Sequence, residues 1–150
     1  MDAVTYPNPK VAEFLQSSLI PLQVKSDTQP LATDYRVKWT PNLLILDAAG
    51  KDHHRIIGFL PPVDFVGSIL LGMGKTYFDV DRYEEGIATF DKVIAEYGQT
   101  GSAPEAVYLR GVAQYKSTHV ALHLKEAFQL LQSRYSRSEW AKRAYPYWLL

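Results

Sequence analysis

Two stretches in the second half of the chain answer to each other at a fixed spacing, and this limits the fold more than any other feature. Met73-Gly74 and Tyr77 correspond to Arg110-Gly111 and Gln114-Tyr115, Phe90 to Phe128, and Tyr97 to Tyr135. The glycines are 37 residues apart and the later aromatics 38. A period of this size marks an array of like units, each burying its apolar face against its neighbours. Within each unit the apolar spacing is helical. Phe65, Ile69, Leu70, Met73, Tyr77 and Phe78 predict a helix over roughly 62–78. Asp81-Arg82-Tyr83-Glu84 reads as a capping box opening a helix over 82–97, and Ser102-Ala103-Pro104-Glu105 as another opening 103–116. A further helix runs from about 121 or 124 to 135, and a last one from near Ser136 or Ser138 to Pro146.

The first half has a different grammar, which changes at Pro61-Pro62. Asn8-Pro9 reads as an N-cap followed by proline at the first helical position, opening a helix over 9–17 with Val11, Phe14 and Leu15 inward. Leu19-Ile20-Pro21-Leu22-Gln23-Val24 reads as a strand, with Pro21 arguing for an edge or a strand start. Asp27 is placed to cap a short helix through Tyr35, with Leu31, Ala32 and Tyr35 inward. Asn42 to Asp47 and Asp52 to Phe59 read as two strands joined by the turn Ala48-Ala49-Gly50-Lys51. The expected class is thus α/β with a mixed sheet over 1–61, followed by an all-α unit over 62–150, the helix at 62–78 serving both.

Composition narrows the function. Sixteen Lys and Arg balance sixteen Asp and Glu, so no net charge draws the chain to nucleic acid or to an anionic membrane. There is no cysteine, which excludes a disulfide framework, a Cys-ligated metal site and a thiol nucleophile. No apolar run approaches the ~20 residues of a membrane span. The start, MDAVTYPNPK, lacks a basic segment and an apolar signal core, so a soluble, cytoplasmic chain is expected.

The repeat resembles the tetratricopeptide family. Over residues 67–100, Leu70, Met73, Gly74, Tyr77, Tyr83, Ile87, Phe90 and Val93 fall where that pattern wants large apolar residues, glycine and aromatics. Gly86 and Gly98 depart from it. In the second unit Val107, Gly111, Ala113, Phe128 and Leu131 match, and Arg134 to Ala141 resembles the start of a third repeat used as a cap. The resemblance implies a concave groove for peptides on the first helix of each pair. Carried over by position, its residues are Leu71, Lys75, Phe78, Glu105, Tyr108, Val112, Tyr115 and Lys116.

The stretch Val37 to Asp47, with Gly50-Lys51 and Gly58-Phe59, resembles the thioredoxin family, in which a cis-proline leads into a strand–hairpin–strand. The resemblance covers about residues 1–78 and puts Thr40 and Pro41 in the cis-proline loop, with Trp39 beside them as buried packing. The family's first strand and Cys-x-x-Cys motif have no counterpart here. Thiol–disulfide exchange needs a thiolate, so a redox-inactive layer is expected, with no cofactor. Its missing strand leaves backbone edges that a second copy could cover, so homo-oligomer formation is expected. Two functions follow: a non-catalytic protein- or peptide-interaction module, or a fragment of an oxidoreductase whose cysteines lie upstream of Met1.

The remaining polar residues form no constellation for chemistry. His53-His54 point to opposite faces of a strand and are expected to be solvated. His119 and His123 have the i, i+4 spacing of two ligands on one helix face, with no third ligand evident, so no metal is expected. Gly72 to Thr76 lacks phosphate-loop spacing. Asp79 and Asp81 lack calcium-loop spacing, and Asp81 is expected to cap a helix.

Overall fold

A computed structural model describes all residues from Met1 to Leu150. It contains seven α-helices and one two-stranded antiparallel sheet, in the order α1 (Pro9–Ser18), α2 (Leu31–Asp34), β1 (Asn42–Leu46), β2 (Asp52–Ile57), α3 (Pro62–Asp79), α4 (Tyr83–Glu96), α5 (Ala103–Thr118), α6 (Leu122–Tyr135) and α7 (Glu139–Arg143). A 3₁₀ turn, Tyr145–Leu149, follows. No helix is long and apolar enough to cross a membrane.

α1 begins as its sequence dictates. The Asn8 side chain accepts from the N–H groups of Lys10 and Val11, and Pro9 fills the first helical position. Val11 is buried, with Phe14 and Leu15 packed against the same core. Thr5 is also buried, its hydroxyl donating to the Leu60 carbonyl at 2.6 Å. This ties the start of the chain to the entry of α3.

The sheet is smaller than the sequence suggests. β1 and β2 pair from Asn42 opposite Ile57 to Leu46 opposite Asp52, with an irregularity between Ile45 and Leu46. The turn is set by Asp47, whose Oδ1 accepts from the N–H groups of Ala49 and Lys51, each at 2.9 Å, and by Gly50 at φ +79°. No third strand joins them. Leu19 to Val24 carries a strand's alternation but lies outside any sheet, with Ile20 98% and Leu22 82% exposed. A strand is stabilised by its partner, and this run has none, so the expected mixed sheet is not formed. The short helix starts at Leu31 after Pro30, without a side-chain cap from Asp27. Trp39 is 70% exposed, not buried.

The helical half is two hairpins built alike. α3 and α4 are joined by residues 80–82, α5 and α6 by residues 119–121. In each hairpin a glycine permits the close approach. A Cβ on Gly74 would stand 2.5 Å from the Phe90 ring, and one on Gly111 2.5 Å from the Ala127 Cβ. Both partners lie sixteen residues beyond the glycine. The helix starts are near those expected, but neither capping box forms. Asp81 accepts instead from the Tyr83 hydroxyl, Arg82 pairs with Glu85, and Glu105 turns to Lys75. Ser138 does cap α7, accepting from the Ala141 N–H at 3.1 Å.

One core crosses the change of grammar at residue 61. Val11, Ile45 and Ile56 join Phe65, Ile69, Leu70, Leu71, Phe90, Val93 and Ala106 in a single cluster. α3 is buried almost continuously from Phe65 to Leu71 because the sheet, α1, α4 and α5 all pack on it. A second cluster holds Val107, Ala127, Phe128, Leu131, Ala141 and Ala144, and Ile94 packs against both.

Candidate functional site

Ser68, Leu71, Gly72, Lys75 and Asp79 recur at three- and four-residue spacing, so they share one side of α3. The sheet lies against this side. Gly72 makes the approach possible: a Cβ there would stand 2.7 Å from Ile45 and 2.9 Å from His54. His54 Nε2 is then 3.1 Å from Ser68 Oγ, and Lys75 Nζ is 3.4 Å from His54 Nδ1 and 3.0 Å from Glu105 Oε1. A polar chain therefore runs from β2 across α3 to α5.

The direction of these bonds decides what the chain can do. An ammonium has donors only, so Lys75 donates to Nδ1 of His54. The ring proton then sits on Nε2 and is donated to Ser68. A serine nucleophile requires the reverse, with Nε2 accepting the hydroxyl proton. Burial, and secondarily the Lys75 charge, pushes His54 down to about 4, holding the ring neutral. The chain is a bridge between elements in this state, without an activated nucleophile.

His53 is the extra residue of the irregularity in the ladder: His54 pairs with Ile45 and Asp52 with Leu46, which leaves His53 without a partner and breaks the alternation there. Its side chain is fully buried, with Nδ1 2.7 Å from Asp79 Oδ2 and Nε2 3.0 Å from Asp47 Oδ2. A neutral ring has one N–H, so one nitrogen would turn a lone pair toward a carboxylate. The imidazolium donates at both. Burial opposes that charge, but the bonds to Asp47 and Asp79 outweigh it and raise the pKa above the ordinary histidine value. The His53 hydrogen bond, followed by that from the Lys51 N–H, holds Asp47 below the usual carboxylate range. Solvation of both histidines is thus corrected, and strict alternation with it: the bulge lets both rings meet α3, His54 at Ser68 and Lys75 and His53 at Asp79.

The eight groove residues carried over by position are not equivalent. Leu71 is 2% exposed and belongs to the core, so it lines no surface. Tyr108 is covered by the C-terminal segment, with the Trp140 ring at 5.2 Å, the Tyr147 ring stacked at 5.7 Å and the two tyrosine hydroxyls 2.9 Å apart. Burial, then the Tyr108 bond, raises Tyr147 well above the usual tyrosine range. Lys75 and Glu105 are committed to each other. Phe78, Val112, Tyr115 and Lys116 remain at the C-terminal ends of α3 and α5, the first two half-buried and the last two exposed. Lys116 Nζ stands 6.0 Å over the Phe78 ring and 5.7 Å over that of Tyr83.

Thr40 is exposed and its bond to Pro41 is cis. The Pro41 carbonyl accepts from the Gly58 N–H at 2.9 Å, extending the sheet by one bond. Thr40 lines a shallow recess with Ser26, Val37, Lys38 and Trp39. His119 ends α5 at φ +59° while His123 lies in α6 beside Glu126, so they do not share a helix face. No three His, Asp or Glu side chains are arranged to hold a metal ion. Sequence reading missed His53, His54, Ser68 and Asp79 as one assembly. The usable signal was Gly72, a small residue on the side of α3 that meets the sheet.

No family model matches the chain, and no curated protein or solved structure compared with it matches either.

Proposed function

We propose that the chain is a non-catalytic protein-interaction module, a thioredoxin-like layer followed by tetratricopeptide-type hairpins, that binds an extended peptide and associates with itself. One observation carries the peptide-binding reading. α3 and α5, the first helices of two hairpins with the same glycine contact, bring Lys116 over Phe78, with Val112 one helical turn before Lys116 and Tyr115 exposed beside it on α5. Aromatic and aliphatic side chains offer anchoring area, and the Lys116 ammonium suits a carboxylate or a main-chain carbonyl. The Lys75–Glu105 pair ties the two helices together beside that surface. The groove of this reading is shorter than position alone implied, because Leu71 and Tyr108 are used internally.

A peptide array screened with the intact chain tests the reading. Tyr115→Ala with Lys116→Ala is expected to weaken the captured peptides tenfold or more at unchanged circular dichroism. Binding that survives the double substitution would refute the groove.

A further inference from the structure

The sheet ends at β1. The Gly58 N–H donates to the Pro41 carbonyl, which fixes the phase of the antiparallel ladder. Leu43 and Ile45 then face β2 with their main-chain groups, and Asn42 and Leu44 turn theirs outward. Neither outward residue bonds to any other part of the main chain. No helix besides α3 packs on β1. Edges of this kind are usually blunted by charge, yet Asn42 to Leu46 contains no charged residue.

The same chain holds an unused strand. Residues 20–24 make no hydrogen bond at all, main chain or side chain. The run is uncharged, alternates in the strand manner, and exposes Ile20, Leu22 and Val24. In an extended run main-chain groups alternate between two edges. Pro21, which has no N–H, lies with Gln23 on one edge, leaving Ile20, Leu22 and Val24 with a full set on the other. The five residues match the five of β1 in length.

We propose that Ile20 to Val24 of one copy pairs with the open edge of β1 in a second copy, and the reverse, so that two strands are exchanged across a two-fold axis. Each chain carries both halves of the contact, which closes the assembly at two. The inference rests on the self-association included in the proposed function, and names its seam. A second copy fits better than a foreign peptide because the donor strand is present at the same concentration as the edge and has no competing contact to break.

Ile20→Lys with Leu22→Lys is a clean test, since neither side chain supports the fold of the single chain. Sedimentation across micromolar concentrations is expected to give a dimer for the natural chain and a monomer for the variant, at equal circular dichroism, with a melting temperature that rises with concentration only for the natural chain. Leu44→Pro removes an outward N–H and is expected to act likewise from the other side of the seam. A natural chain that stays monomeric, or a charged variant that stays dimeric, overturns the proposal. So does a charged variant that fails to take up a synthetic peptide of residues 18–25, because its β1 edge is then not open to the donor strand. Peptide capture by the groove is scored on the same proteins. The charged variant is expected to retain it, and Tyr115→Ala with Lys116→Ala to stay dimeric, so the two readings fail separately.

Discussion

Nδ1 of His53 lies 2.7 Å from Oδ2 of Asp79, and this pair fastens the sheet to the last residue of α3. A carboxylate at a helix C-terminus meets the negative end of the backbone dipole, and a cation beside it relieves the conflict. The imidazolium also faces Asp47, so one proton secures both the hairpin turn and the helix end.

Stability should follow that proton. The folded-state pKa of His53 is raised, so its contribution is complete below the unfolded value of about 6.5 and is lost as pH rises through the folded value. His53→Gln is therefore expected to lower the melting temperature more at pH 5.5 than at pH 9. Equal losses at both pH values would show that the ring does not bridge the two carboxylates as a cation.

His54 should act with the opposite sign. Its pKa falls to about 4 in the fold, so between there and about 6.5 the unfolded chain binds a proton that the folded chain does not. Stability is then lost on acidification through that window. His54→Gln, which keeps a polar group beside Ser68 without titrating, is expected to flatten this loss. Lys75→Met is expected to move the His54 imidazole titration upward by a smaller amount than burial moves it down. Imidazole chemical shifts followed with pH measure both.

The hairpin glycines differ in how they should tolerate a methyl group. At Gly111 the obstacles are the Ala127 Cβ at 2.5 Å and the His123 carbonyl at 3.1 Å, both fixed to the backbone. At Gly74 the obstacle is the buried Phe90 ring, a side chain rather than backbone. Gly111→Ala is expected to cost about 1–3 kcal/mol from overpacking, partly offset by a gain in helix propensity of roughly 1 kcal/mol. Gly74→Ala is expected to cost less. Urea unfolding checks the order, and Gly111→Ala with Ala127→Gly should recover most of the loss.

Tyr147→Phe removes one hydroxyl from the pair with Tyr108 while keeping the stacked ring. The expected cost is about 0.5–1.5 kcal/mol, with one fewer tyrosine titrating abnormally late in an alkaline absorbance titration. An unchanged titration would mean that the segment after Ala144 does not rest on α5.

The helices were legible because their evidence is local and repeated. Gly74 and Gly111 carry the hairpin contact at matching places, and Asn8-Pro9 starts α1 with its own side chain. The cap motifs misled because a side chain has several possible partners. Glu105 has the position of a capping-box residue, but Lys75 offers it a charge 3.0 Å away. Leu19 to Val24 misled for a different reason: alternation describes a strand's faces and says nothing about whether a neighbour is present to pair with it. The polar assembly was least legible. Period-two logic sends His53 and His54 to opposite faces, but the bulge at His53 breaks that period, and both rings meet residues of α3. Four of its members are separated by up to 26 residues, joined by no motif.

α5 belongs to both apolar clusters, Ala106 in the first and Val107 in the second, and Ile94 packs against both. The helices are therefore a continuous stack, with α3 covered by several neighbours and α6 and α7 at the far end. Native-state hydrogen exchange is expected to release the amides of α6 and α7 before those of α3, because the end of a stack can open while α3 stays covered. Mechanical load applied at Leu150 would meet that end first, before it reaches the polar bridge at His53 and His54.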